Sequence, residues 1–211
     1  MRREYPDRPP GGGLTEDGLA GTWLEQFRRW FAEAAAAATI VEPNAMVVAT
    51  ATSAGEPSAR TVLLKGVDER GFVFFTNYGS RKATELRANP RASLVFGWYP
   101  IGRQVIVGGT VERVDRAETE SYFASRPREA QLGAWASPQS RPVTREQLDT
   151  ALAEERRRYP EGTPVPAPPH WGGLLVRPLT VEFWQGRPGR LHDRLRFRWD
   201  RDVWIVERLA P

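Results

Sequence analysis

Between residues 45 and 114 five short stretches, rich in β-branched and aromatic residues, follow one another with little chain between them. They cover 45–52, 58–65, 72–76, 93–99 and 104–114. The connections are turn clusters, Ser53-Ala54-Gly55-Glu56-Pro57 and Asp68-Glu69-Arg70-Gly71, and one short helical pattern over 80–88 that Asn89-Pro90 closes. Turns of hairpin length cannot carry a parallel crossover, and long crossovers are few, so the pattern argues for antiparallel pairing. Three more strand patterns follow near the C-terminus: 173–177 with 181–185, 190–199 and 203–209. The expected architecture is mainly β with some α: an antiparallel sheet closed into a barrel, with helices packed outside.

Helical signals are sparser. Thr15 opens a pattern in which Trp23, Phe27, Trp30 and Phe31 share one face, ending in the alanines 34–38. Asp115 with Glu118, and Thr144 with Gln147, have the spacing of capping boxes; the second starts a helix running to about Tyr159, and 160–169 is a proline-rich loop. Residues 1–14, rich in Pro, Gly and charge, are expected to form a flexible arm, and 15–211 a single domain.

Composition narrows the chemistry. Cysteine is absent, which removes disulfides, thiolate nucleophiles and thiolate metal sites. Two histidines with no His/Asp/Glu cluster at ligand spacing give no metal site, and there is neither a P-loop nor a Gly-x-Ser-x-Gly elbow. No apolar run is long enough for a membrane span and no secretory signal stands at the N-terminus, so a cytoplasmic protein is the expectation. A net charge of +4 raises the prior for an anionic partner: nucleic acid, acidic lipid or a phosphorylated small molecule. Of the 30 basic residues 28 are Arg, which makes Lys65 and Lys82 conspicuous. Without a side-chain nucleophile, redox chemistry would need a bound cofactor.

Four segments draw attention. At 76–82 a strand ends at Thr76, Gly79 permits a tight turn and Ser80 is a good N-cap, yet Arg81 and Lys82 fall in the first helical turn, where cations are unfavourable. Either this is an exposed basic turn, or an anion sits there. On the strand 60–65, alternation turns Arg60, Val62 and Leu64 one way and Thr61, Leu63 and Lys65 the other; snorkelling strand ends would look the same. Along 190–199, Arg190, His192, Arg194, Arg196 and Arg198 alternate with Leu191, Leu195, Phe197 and Trp199: a solvated face, or a face engaging an anionic ligand. Tyr122 and Arg126, four residues apart, could grip a phosphate, a weak signal alone. His170 reads as structural.

Together with Arg-Arg-Glu-Tyr at 2–5, Pro-Asn-Ala-Met-Val-Val-Ala-Thr at 43–50, Arg103-Gln104-Val105, Ser125-Arg126-Pro127-Arg128, the stretch 131–139, Glu182-Phe183-Trp184-Gln185-Gly186, Arg190-Leu191-His192-Asp193-Arg194 and the terminal Glu207-Arg208-Leu209-Ala210-Pro211, these segments resemble the pyridoxine/pyridoxamine 5′-phosphate oxidase family over essentially the whole chain. The resemblance implies a split β-barrel homodimer with FMN in clefts at the subunit interface. Its reaction takes hydride from C4′ of pyridoxamine or pyridoxine 5′-phosphate to flavin N5, with O2 reduced to H2O2. It places Arg60, Ser80, Arg81 and Lys82 on the flavin phosphate with Thr76 nearby. Thr61, Val62, Leu63, Leu64, Lys65 and Phe75 would lie along the flavin. Gln104, Gln139, Ser140, Trp184 and Arg194 would be further contacts, several from the opposite subunit. Lys65, Tyr122 and Arg126 would meet the substrate phosphate, with Ala130 where the family usually has a serine. Arg190 and His192, flanking Leu191, would act over the pyridine ring, and Arg2 and Tyr5 would close over it. Phe75 replaces a common tyrosine and Glu42 a common aspartate. The other readings are a related flavin oxidase of phenazine type, a non-catalytic pyridoxal phosphate carrier, and a basic nucleic-acid-binding barrel.

Overall fold

The computed structural model describes Tyr5 and residues 13–211. Its nine strands are β1 (Ala45–Ala51), β2 (Pro57–Leu63), β3 (Gly66–Asp68), β4 (Gly71–Asn77), β5 (Arg91–Trp98), β6 (Arg103–Arg113), β7 (Trp171–Gln185), β8 (Asp193–Asp200) and β9 (Val203–Arg208). They form one sheet in the order β2-β1-β5-β6-β7-β4-β3, with β8 on β7 and β9 on β8. Every pairing among the described strands is antiparallel. The sheet curls into a half-barrel that brings β2, at one end of this order, near β4.

The curl depends on β7. Pro178 invites a break, and the expected strand pattern is interrupted between 177 and 181, but the structure has one continuous strand of 15 residues. Its first half pairs with β4 and its second with β8, while β6 follows it from Leu174 to Gln185. The register against β6 skips Leu179 at a bulge beside Gly108 and Gly109, which absorbs a proline that has no N–H to give the ladder. Only glycine fits at 109, because a Cβ there would lie 2.0 Å from the Arg177 carbonyl oxygen.

Helix α1 (Trp23–Ala36) begins later than the pattern from Thr15 suggests. The residues after Thr15 form turns, and the helix is started by a complete capping box between Thr22 and Glu25. The apolar stripe lies on the sheet: Phe27 packs edge-on to Phe72 and Phe96, and Trp30 edge-on to Phe183. Both rings are buried, each contributing on the order of 2–3 kcal/mol. Leu14 is buried in this core as well.

The remaining helices are α2 (Arg81–Ala88), α3 (Arg116–Ala124), α4 (Arg128–Ala136) and α5 (Arg145–Arg158), the last opened by the expected Thr144–Gln147 box. A second, smaller core of Phe123, Leu132, Val165, Ala167 and Trp171 joins α3 and α4 to the start of β7. No described helix is long and apolar enough to cross a membrane.

Candidate active site

A cleft of about 780 Å³ opens between β2, the end of β4, the start of α2 and the α3–α4 pair. It gathers Arg60, Thr61, Val62, Leu63, Lys65, Phe75, Thr76, Arg81, Lys82, Tyr122, Arg126, Ala130, Gln139 and Ser140, residues spread over 81 positions of sequence. Alternation along 60–65 puts Arg60 and Lys65 on opposite faces, yet both line this cleft. The reason is that β2 ends at Leu63 and the chain changes partners: the Leu64 N–H donates to Asn44 and the Lys65 N–H to Val73. Leu64 itself turns into the core and does not line the cleft.

One end of the cleft is cationic. Ser80 caps α2, its hydroxyl accepting from the Ala83 N–H, and is fully buried behind the wall rather than lining it. Lys82, in the first turn, is buried; its Nζ donates to Thr76 Oγ1 at 3.1 Å and to Gln139 Oε1 at 3.3 Å. Among the described residues no carboxylate pairs with it. Burial, and then the nearby Arg60, push its pKa down to about 8. Arg60 and Arg81 flank it, and both reach the buried carboxylate of Glu85.

The other end has a different make-up. Tyr122 stacks on Phe75 with ring centres 4.0 Å apart, and the Arg126 guanidinium lies 4.6 Å over the Trp171 ring. Arg126 Nη1 is buried without a hydrogen-bond partner, and desolvation lowers the pKa of the group. Lys65 is exposed at the same wall. Small residues of α4, Ala130, Gly133 and Ala134, leave room beside them. Trp171 was not singled out from sequence; it follows a proline run that gives no strand signal, and its ring becomes significant only where β7 meets α3.

The remaining expected residues form a second cluster that does not line this cleft. Register places Gln104, Trp184 and Arg194 side by side across β6, β7 and β8. The His192 ring lies 4.7 Å from that of Trp184, and Tyr5 stands edge-on to both at 5.7 Å. Gly186 permits this, since a Cβ there would meet the Tyr5 ring at 2.5 Å. Arg2 lies outside the described residues.

The strand expected over 190–199 begins only at Asp193, so Arg190, Leu191 and His192 belong to the preceding turn and do not alternate with β8. Arg190 has φ of +64°, uncommon for a residue with a side chain, and both it and Leu191 are exposed. The Arg187 backbone N–H donates to His192 Nδ1 at 3.1 Å, which leaves the imidazole proton on Nε2. Burial, then Arg190, lower the His192 pKa against the opposing pull of Asp193. The run of cations on β8 is neutralised: Arg194 pairs with Glu182, and Arg196 and Arg198 with Glu207.

The donor set fits FMN. Its cationic end sits at the N-terminus of α2 with a buried ammonium lacking a carboxylate, as a phosphate monoester requires, and the cleft has the size of ordinary cofactor sites.

Residues 32–156 match the family described as pyridoxamine 5′-phosphate oxidase, and 171–211 match the pyridoxine 5′-phosphate oxidase C-terminal dimerisation region. The second cluster, apart from Tyr5 and Gln104, falls inside that region. A pyridoxine/pyridoxamine 5′-phosphate oxidase of Salinispora arenicola is 64% identical over 201 residues, covering 94% of this chain and 90% of its own. Among solved structures, PhzG from Burkholderia lata in complex with tetrahydrophenazine-1-carboxylic acid superposes with a TM-score of 0.87 at 32% identity, covering 94% of this chain and 98% of its own. A pyridoxamine 5′-phosphate oxidase-related, FMN-binding protein from Nostoc punctiforme shares the fold with a TM-score of 0.72 at 18% identity, covering 92% and 98%. Cleft, donor set and near full-length similarity agree: this chain belongs to the pyridoxamine 5′-phosphate oxidase family of FMN-dependent oxidoreductases.

Proposed function

We propose that the chain oxidises pyridoxamine 5′-phosphate or pyridoxine 5′-phosphate to pyridoxal 5′-phosphate, as a homodimer whose clefts are each completed by the partner subunit. The observation that carries this reading is one cleft with two separate cationic stations. Lys82 beside Arg60 and Arg81 forms one, and Arg126 with Lys65 and the Tyr122 ring forms the other. Each takes one phosphate, the first that of FMN and the second that of the substrate. FMN, when bound, supplies a two-electron acceptor for the C4′ hydride that O2 can reoxidise, yielding H2O2. The protein's part is placement: the phosphate grip holds the pyridine ring at the flavin, and the wall of Thr61, Val62 and Leu63 runs along the flavin's length.

Arg190 and His192 come from the partner subunit in this reading, which explains why one chain leaves them outside its own cleft. His192 keeps Nδ1 occupied by the Arg187 N–H and offers Nε2–H as a donor to the substrate. Arg190, cationic at the turn, steadies charge that develops on the ring. Ala130 withholds one neutral hydrogen bond from the substrate phosphate, worth about 1 kcal/mol, and leaves the charged contacts in place.

The similarity to PhzG supports a second reading, oxidation of a phenazine-like substrate. Phosphate discrimination separates the two. Pyridoxamine 5′-phosphate should bleach the flavin of the anaerobic protein at least about 100-fold more efficiently than pyridoxamine, since charge-assisted contacts contribute about 1.5–3 kcal/mol each. Similar efficiencies for both would contradict a phosphate grip at Arg126 and favour the second reading. Against the nucleic-acid reading, the arginines of β8 are engaged by Glu182 and Glu207 rather than free for a polyanion.

A further inference from the structure

A buried carboxylate stands behind the cationic end of the cleft, where an anion would ordinarily oppose phosphate binding. Glu85, one turn into α2, is 5% exposed. Thr50 Oγ1 and Ser58 Oγ each donate to its Oε2 at 2.5 Å, and Arg81 Nε donates to its Oε1 at 2.7 Å. The same two hydroxyls accept from Arg60: Nη1 donates to Thr50 at 2.6 Å, and Nη2 donates to Ser58. Arg60 Nη2 also lies 3.6 Å from Glu85 Oε2. Burial pushes the carboxyl pKa up, but the hydrogen bonds from Ser58, Thr50 and Arg81 outweigh it and hold the group at about 2, so it is ionised.

The direction of these bonds is informative. Each hydroxyl spends its single proton on Glu85 and therefore turns a lone pair to Arg60. Arg81 is pinned through Nε alone, which leaves its two terminal nitrogens free of partners among the described residues while its side chain lines the cleft. Three cations and one carboxylate leave a formal charge of +2, matching a phosphate monoester dianion.

We propose that Glu85 is the positioning residue of the FMN phosphate cradle, fixing Arg60 through Thr50 and Ser58 and Arg81 directly, so that both guanidinium groups are set before the phosphate arrives. The proposal rests on the placement of the FMN phosphate argued above. Without Glu85, two long side chains must be ordered at the moment of binding.

The test compares FMN with riboflavin, which has the same rings and no phosphate, by titrating flavin fluorescence into the full-length protein stripped of flavin. Glu85→Ala should weaken FMN binding by about tenfold or more while riboflavin binding changes by less than about twofold. Glu85→Gln should recover only part of the loss, because its amide oxygen still accepts from Arg81 Nε while its NH2 group cannot accept from Thr50 and Ser58. Thr50→Val, which keeps the side-chain shape, should show the same selective loss to a smaller degree, and it stands as the test should Glu85→Ala fail to fold. Unchanged FMN affinity in these variants, or a proportional loss of riboflavin, overturns the positioning role. A wild-type protein that binds both flavins equally contradicts the phosphate placement itself, a distinct result.

Discussion

Replacing Lys82 with Met weakens FMN binding on the order of 30-fold, because a buried, charge-assisted donor to phosphate contributes about 2 kcal/mol. The variant also loses a pH dependence that the wild-type protein shows. With no carboxylate beside it, burial and Arg60 hold the Lys82 pKa at about 8. The FMN phosphate favours the ammonium form and raises that pKa on binding. Below about 8 the lysine is already charged and affinity is insensitive to pH through this group. Above it, binding takes up a proton, and affinity falls by up to about tenfold per pH unit. Flavin titrations on either side of this pH check both effects. A Met variant that keeps the alkaline fall in affinity would assign the proton elsewhere.

Arg190→Ala lowers turnover on the order of 100- to 1000-fold while FMN affinity stays within about threefold. Arg190 stands after Gly189 in a turn where both residues have positive φ, a conformation that costs a residue with a side chain about 1 kcal/mol. Strain kept at an exposed arginine beside His192 is evidence that its direction matters. Single-turnover bleaching by pyridoxamine 5′-phosphate measures the first quantity and flavin titration the second. Equal losses in both would make Arg190 part of the cofactor site instead, and unchanged turnover would remove its part in the chemistry.

Much of the sheet and of the cleft was legible in the sequence, for local reasons. The antiparallel hairpins along 45–114 follow from turn length, and the misplaced cations Arg81 and Lys82 follow from helix electrostatics. What escaped depended on distant partners. The cations of β8 look exposed until Glu182 and Glu207 are brought beside them by strand pairing. Pro178 interrupts the strand pattern in the sequence, but the bulge at Leu179 lets β7 run on past it. Arg60 and Lys65 share a cleft only because the chain changes partners after Leu63. The start of α1 was a different miss. Thr22 and Glu25 carry the capping signature in plain sequence, and Thr15 outweighed them although Gly18 and Gly21 lie between. The division of the site into two clusters is invisible in one chain's pattern, since the account joins them across a dimer.

That junction is the central claim, and mixed dimers test it. Lys82→Met damages the cleft half of a site, and Arg190→Ala damages the half contributed by the dimerisation region. If each site takes one half from each subunit, a mixed dimer of the two variants contains one site with both lesions and one with neither. Unfolding and refolding the two proteins together at equal amounts, assayed at an FMN concentration that fills the wild-type site and leaves the Lys82→Met site largely empty, should then restore about a quarter of wild-type activity per subunit, from the half of the dimers that are mixed. No recovery beyond that of the separate variants would mean that both halves belong to the same chain, and would contradict the account.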